Sequence, residues 1–291
     1  MENKKNMLRA ISDNGGVVFC GLDSTDMVRR MEELHKPSAV CSAALGRLLT
    51  AASMMGIMLK SEKDTVTLRV KGGGPAGLLL AVSDGTGNVK GYMENPLADM
   101  PARPDGKLNV GGVVGRDGTL SVVRDLGLKE PYVGMVPLVS GEIAEDVTSY
   151  YAVSEQIPTV CALGVLVNPD LTIRCAGGFL LQLLPGASEE EISRLEKNIA
   201  AMPSVTQMLD QGADPRKMME LAMAGFDPQL LDEYRVDYRC DCSMERTERA
   251  LISLGKKELE DLYKEEPTAE VVCQFCNKKY QVDLGELIKK V

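Results

Sequence analysis

The sequence predicts an α+β protein in three parts: a large N-terminal domain, a middle part of short helices and a small C-terminal domain. The first part, 1–186, is rich in glycine and β-branched residues, and turn dipeptides separate its strand-like segments. Within it, residues 38–59 form one nearly apolar helical pattern. Strand patterns stop in 187–234, and the last part, 235–291, contains two close cysteine pairs. These observations decide the fold class and the domain boundaries.

The N-terminal part has nine segments with the length and composition of β-strands. The helical pattern over 38–59 has a single charge, Arg47, and no polar face, so we expect sheet to enclose this helix on several sides. The nine expected strands are Gly16–Cys20, Thr65–Lys71, Leu78–Ser83, Val89–Met93, Thr119–Val123, Val133–Leu138, Tyr150–Val153, Val160–Val167 and Thr172–Leu183.

The middle part predicts short helices with adaptable apolar faces. Ser188 and Glu191 have the spacing of a capping box, and Asp214-Pro215 and Asp227-Pro228 each place a capping aspartate before a proline. Helices this short do not persist alone in water, so they need a surface to lie on. Several methionines are available to pack against that surface, namely Met202, Met208, Met218, Met219 and Met223.

Composition disfavours several classes of protein. The chain has 291 residues and a formal net charge of -9, which disfavours binding to a phosphate backbone, so no nucleic-acid partner is expected. Its longest nearly apolar run, Leu48–Leu59, is shorter than the about 20 residues that cross a bilayer, so no membrane partner is expected. No secretory signal pattern is visible, which predicts a cytoplasmic protein. No phosphate-loop motif is present, so ATP use is not indicated.

The C-terminal part has the cysteine pattern of a zinc site. Cys240 and Cys242 form a Cys-x-Cys pair, and Cys273 and Cys276 form a Cys-x-x-Cys pair thirty residues later. Four thiolates in two close pairs suit a tetrahedral zinc ion, and the chain has only one histidine to offer as an alternative ligand. A unit of this size has little core, so zinc would supply much of its stability.

Three functions remain open from the spacing alone. The zinc is either purely structural, as in a constitutive interaction module, or part of a redox switch, because a disulfide across Cys-x-Cys is strained and labile. Alternatively, Cys273 and Cys276 serve a thiol–disulfide oxidoreductase. We identify no other catalytic group. The remaining cysteines lie in the apolar helix or on expected strands and are expected to be buried and inert; they are Cys20, Cys41, Cys161 and Cys175.

Motifs along the whole chain resemble one known family, the 33 kDa chaperonins, which are redox-regulated heat-shock holdases of bacteria. The four C-terminal cysteines match the zinc ligands of that family position for position. The other matching motifs are Ser42–Arg47, Gly72–Pro75, Gly118–Val123, Val139–Asp146, Ser154–Gln156, Gly164–Pro169 and Ala176–Phe179.

The resemblance implies a fold and a mechanism. Helices would pack between two β-sheets in 1–186, and 187–234 would be a metastable linker. Reduced Cys240, Cys242, Cys273 and Cys276 would hold zinc with the chaperone inactive. Oxidation would form the disulfides Cys240–Cys242 and Cys273–Cys276, release the zinc, unfold the linker and produce a homodimer. The active protein would bind unfolded client proteins without ATP.

Overall fold

The computed structural model describes residues 5–290, and the chain divides into two compact units, Met1–Tyr238 and Arg239–Val291. The first unit contains two five-stranded sheets and seven α-helices among its described residues. In chain order its elements are β1 (Met7–Ile11), β2 (Val17–Asp23), α1 (Thr25–His35), α2 (Ala39–Gly56), β3 (Thr65–Lys71), β4 (Leu78–Asp84), β5 (Val89–Met93), α3 (Val110–Val114), β6 (Thr119–Asp125), β7 (Tyr132–Pro137), α4 (Ala144–Tyr150), a π-helical turn (Tyr151–Glu155), β8 (Thr159–Val167), β9 (Ile173–Leu183), α5 (Glu189–Ala201), α6 (Val205–Asp210), α7 (Pro215–Ala222) and β10 (Gln229–Tyr234).

Helix α2 is the centre of the first unit, as the apolar pattern predicts. It contacts β8 and β9 of one sheet and β3, β4 and β5 of the other. Small residues allow this close approach: a methyl group at Gly46 would lie 2.8 Å from a methyl of Val28 and 2.9 Å from one of Val165. By length and composition α2 could cross a membrane, but 89% of it is buried inside the protein. Such burial is typical of a core helix enclosed by sheet.

The first sheet has the strand order β10-β1-β2-β9-β8, and the second has the order β5-β4-β3-β6-β7. All neighbouring strands within them run antiparallel. The two faces of the first sheet contribute side chains to two different cores, because successive side chains of a strand point to opposite sides. One face packs against α2, and the other supports the helices of the expected linker.

The helices α5, α6 and α7 lie on the outer face of the first sheet. Their apolar side chains form a second core with Phe19 and Phe179, whose rings stack with centroids 5.5 Å apart. Met208, Met218 and Met223 are buried in this core. The sequence correctly predicts short capped helices here: the Ser188 side chain accepts a hydrogen bond from the Glu191 amide as a capping box requires. That this segment is metastable stays a prediction.

Some local expectations are wrong. Tyr150–Val153, expected as a strand, lies at the end of α4 and in the π-helical turn, because Tyr150 and Tyr151 are buried side by side against the core. The strand patterns do not stop at 187, since β10 pairs with β1. Asp227-Pro228 begins no helix, because the strand β10 follows it directly at Gln229. The sequence patterns do not predict β1 or α1.

The second unit is small and has its own core. Its elements are α8 (Met244–Ile252), α9 (Lys256–Glu265), the hairpin strands β11 (Thr268–Val272) and β12 (Lys279–Asp283), and α10 (Leu284–Ile288). The sequence predicts these helices and the hairpin correctly, with Asp283 capping the last helix. Among the residues of this unit that the structure describes, five apolar side chains form the buried core, namely Leu259, Tyr280, Val282, Leu284 and Leu287. So small a core leaves this unit dependent on another source of stability.

Candidate metal centre

The four C-terminal cysteines come together at one end of the second unit. Cys240 and Cys242 lie in the extended segment before α8, where residues two apart point to the same side. Cys273 and Cys276 lie at the turn between β11 and β12. In that turn the Cys273 amide donates to the Lys278 carbonyl over 2.9 Å, and the chain takes a left-handed conformation at Asn277, with φ of 58°. The hairpin therefore presents both sulfurs of the second pair from one tight turn.

The geometry of the sulfurs fits a tetrahedral metal site. All four Sγ atoms lie within 4.8 Å of one another, and all four residues are half-buried. The Sγ atoms of Cys240 and Cys273 are 3.7 Å apart, and those of Cys242 and Cys276 are 3.4 Å apart. Sulfurs bound about 2.3 Å from one tetrahedral zinc ion lie about 3.8 Å from each other. The donor set and its spacing therefore suit zinc.

Tyr280 on β12 adds a contact that the cysteine spacing does not reveal. Its hydroxyl donates a hydrogen bond to Cys242 Sγ over 3.1 Å, and the ammonium group of Lys278 lies 4.9 Å from the centre of its ring. Alternation along β12 places Tyr280 on the buried face of the hairpin, which is the only signal in the sequence for this residue. A donor of this kind favours the thiolate form of a ligating cysteine.

The surroundings shift the pKa values of the clustered cysteines in different directions. Burial raises the pKa of Cys242, but hydrogen bonds from Tyr280 and the neighbouring thiols outweigh burial and lower this pKa to about 7. Burial raises the pKa of Cys240 and of Cys276. These hydrogen bonds therefore favour the thiolate form at Cys242, which is the form that reacts with oxidants.

The other four cysteines lie in the first unit, and among the described residues no three of them are close enough to bind one metal ion. Cys20, Cys41 and Cys175 are buried and Cys161 is half-buried. Burial raises the pKa of Cys20 to about 12 and that of Cys175 to about 11. Their thiols therefore stay protonated and poorly reactive in the folded protein.

Comparison with known proteins identifies the family. The model of the family described as Hsp33 protein matches residues 5–283. The chain belongs to the Hsp33 family. It is 48% identical over 283 residues to the 33 kDa chaperonin of Clostridioides difficile strain 630, covering 97% of each chain. It is 45% identical over 286 residues to the 33 kDa chaperonin of Clostridium tetani, again covering 97% of each.

A solved member of the Hsp33 family has the same fold. The crystal structure of the 33 kDa chaperonin of Thermotoga maritima superposes with a TM-score of 0.88 and 38% sequence identity, covering 99% of both chains. This agreement confirms the predicted α+β fold, with helices between sheets and a C-terminal four-cysteine unit. Because the family consists of chaperones, the thiol–disulfide oxidoreductase is not favoured.

Proposed function

We propose that this protein is a redox-regulated holdase that binds unfolding proteins without ATP after its four C-terminal cysteines are oxidised. The observation that carries the proposal is the cluster of four sulfurs within 4.8 Å, located in a unit with only a small core. The proposal places the protein in the cytoplasm, with unfolded proteins as clients and a homodimer as the active form.

In the reduced state the four thiolates hold the second unit together. We assign Cys240, Cys242, Cys273 and Cys276 as zinc ligands. Zinc bound there would join the segment before α8 to the β11–β12 hairpin and stabilise the folded unit by about 10–16 kcal/mol. Loss of a contribution this large would exceed the whole stability of a typical small domain.

Oxidation removes all four ligands at once. Two equivalents of hydrogen peroxide accept four electrons from four thiols, giving two disulfides and four waters. We propose the pairs Cys240–Cys242 and Cys273–Cys276, following the family resemblance. These bonds close very short loops, so they restrict the unfolded chain little and do not tie the two halves of the unit together. The second unit should therefore loosen.

The linker helices α5, α6 and α7 depend on packing against the first sheet, and this packing is incomplete under α5. A cleft of about 530 Å³ remains between α5 and the first sheet, lined mainly by apolar side chains that include Leu181, Leu183, Ile192 and Leu195. Leu195 is the one buried residue of α5. Apolar side chains that face this open cleft do not contact one another across it, and the missing contacts would ease the release of α5 from the sheet.

Detachment of the linker would uncover two apolar surfaces. The first is the outer face of the first sheet, which includes Phe19, Phe179 and Leu181. The second is the methionine-rich face of the helices themselves. Contiguous apolar surface of this kind binds unfolded polypeptides and a second copy of the chain.

An aggregation assay tests the proposed function. Oxidised protein, shown to lack zinc and to contain two C-terminal disulfides, should suppress the aggregation of a chemically unfolded client at near-stoichiometric ratios. No nucleotide should be needed, and the reduced protein with zinc should be inactive. Protection by the oxidised protein only in the presence of ATP, or equal protection by both forms, would refute the proposal.

A further inference from the structure

Strand β10 occupies the edge of the first sheet in an unusual manner. It pairs antiparallel with β1, from Met7 opposite Tyr234 to Ile11 opposite Gln229. Five of its six residues are exposed and only Tyr234 is half-buried. In β1, by contrast, Met7, Leu8 and Ala10 are buried. The strand β10 is thus held mainly through its backbone, whereas β1 belongs to the core.

The side-chain contacts of β10 lie near the surface. Arg9 lies 3.8 Å from Asp232, and the side-chain amide of Gln229 donates to Asp13 over 2.8 Å. Arg216 of α7 donates to Glu233 over 2.9 Å, so this contact ties β10 to the helices that the proposed function releases. The pairing with β1 is irregular between Arg9 and Ala10, where Leu231 has no partner in the register. A bulge of this kind interrupts the ladder and weakens the hold on the strand.

The chain is anchored independently just beyond β10. The Asn6 side chain accepts a hydrogen bond from the Val236 amide over 2.9 Å and donates one to the Val236 carbonyl over 3.0 Å. Val236 itself is fully buried. Strand β10 can therefore separate from β1 while the chain remains attached at Val236. On its other side, β10 follows α7, which belongs to the helices that the proposed function releases.

We propose that the outer edge of β1 is a binding site for extended segments of unfolded polypeptide, and that β10 occupies this edge as an internal competitor in the inactive state. The inference rests on the proposed function and deepens it by naming where a client backbone binds. Removal of β10 would leave the backbone N–H and C=O groups of a core strand without partners, which is a template for another strand.

The chemistry of this edge suits clients of unrelated sequence. When a peptide adds a strand to a sheet, main-chain hydrogen bonds supply most of the affinity and side chains contribute selectivity. The exposed side chains of β10 show that this edge accepts a strand whose side chains are hardly buried. The occupant that fits is therefore an extended segment defined by its backbone rather than by its sequence.

A labelled peptide tests the edge directly. The probe is a fluorescein-labelled peptide with the sequence of residues 228–235, and its binding is followed by fluorescence anisotropy. We expect it to bind the oxidised full-length protein at least about tenfold more tightly than the reduced zinc form. Two further peptides carry N-methyl groups on alternate residues in opposite frames. Only the frame that removes the N–H groups facing β1 should lose about tenfold in affinity.

An engineered disulfide between β10 and β1 supplies an independent test. Arg9 and Asp232 are opposite each other in the register, so the double variant Arg9→Cys, Asp232→Cys can link β10 to β1. After oxidation, with the new bond verified by mass spectrometry, this variant should lose most probe binding and most protection of clients. The matched control, Thr67→Cys with Val82→Cys, links two neighbouring strands of the second sheet and should keep both activities.

The outcomes distinguish this inference from the proposed function. Any one of three results would overturn the inference. The oxidised and reduced proteins could bind the probe equally, the two N-methyl peptides could bind with equal affinity, or the variant with β10 linked to β1 could bind the probe as well as the unsubstituted protein. An oxidised protein that protects no client would refute the proposed function, while the probe would still report whether the β1 edge opens.

Discussion

The hydroxyl of Tyr280 donates a hydrogen bond to Cys242 Sγ over 3.1 Å, so a strand of the hairpin core directly supports one of the four clustered sulfurs. Tyr280 is 5% exposed and belongs to the five-residue core of the second unit. The folding of this unit and the orientation of the cysteine cluster are therefore coupled through one side chain.

The Tyr280→Phe variant tests this coupling. It removes the donor but keeps the ring, so the fold should persist while zinc affinity falls about tenfold, as is typical when a group that supports a metal ligand is lost. Competition with a chromogenic chelator measures the change. Tyr263→Phe is the matched control, because Tyr263 is exposed on α9 in the same unit. Equal zinc affinity in both variants would show that the hydrogen bond has no role.

Metal content tests the ligand assignment. The reduced protein should contain one zinc per chain, and the double variant Cys240→Ser, Cys242→Ser should contain almost none, because two thiolate ligands are lost. The control variant Cys161→Ala, Cys175→Ala changes two thiols of the first unit and should keep its zinc. A full zinc complement in the Cys240→Ser, Cys242→Ser protein would contradict the assignment.

The cleft under α5 predicts that filling it delays activation. Ala200 lines the cleft, so Ala200→Leu should add apolar contacts and stabilise the docked linker by about 0.5–2 kcal/mol. Activation by peroxide should then be slower or need higher temperature. Ala201→Leu is the matched control, because this neighbouring exposed residue does not line the cleft. Similar activation rates for the two variants would argue against weak packing of α5 as the cause of release.

The same reasoning predicts the opposite effect for Leu195→Ala. Leu195 is 4% exposed, and truncating a buried leucine costs about 2–5 kcal/mol. The linker should detach more readily, giving faster activation and partial client protection before full oxidation. A light-scattering aggregation assay at graded peroxide concentrations measures this. Activation identical to that of the unsubstituted protein would show that α5 does not control release.

The sequence predicts the features that are determined by many residues within a short stretch of the chain. A helix that is apolar on all sides, such as α2, must be buried in any fold. The spacing of the four cysteines indicates that they bind one metal ion. The sequence does not predict β10, because Gln229–Tyr234 lacks the alternation of apolar and polar residues that is typical of a strand, and its extended form comes from pairing with β1. The two tyrosines at 150 and 151 have strand propensity, but burial beside each other overrides it. Tyr280 was missed because a single tyrosine on a strand does not indicate which sulfur it meets.

Burial of Cys20 predicts a pH dependence of stability. Its folded pKa is about 12, above the ordinary value of 9.0, so the folded state retains the thiol proton more strongly than the unfolded state. The stability from this group is fully present below pH 9 and is lost as pH rises from about 9 towards 12. Urea unfolding at pH 8 and pH 10 should show a smaller loss for Cys20→Ala than for the unsubstituted protein. An equal loss would mean that Cys20 ionises as readily in the folded state as in the unfolded state.

Hydrogen exchange tests the central claim most directly, because it reports the linker and the zinc unit in one experiment. Protection of backbone amides should be compared between the reduced zinc protein and a zinc-free sample with both C-terminal disulfides in place. We predict that amides of 187–291 lose protection on oxidation, while Thr65–Lys71 and Val160–Val167 keep theirs. Unchanged protection across 187–291 in the oxidised sample would contradict the account.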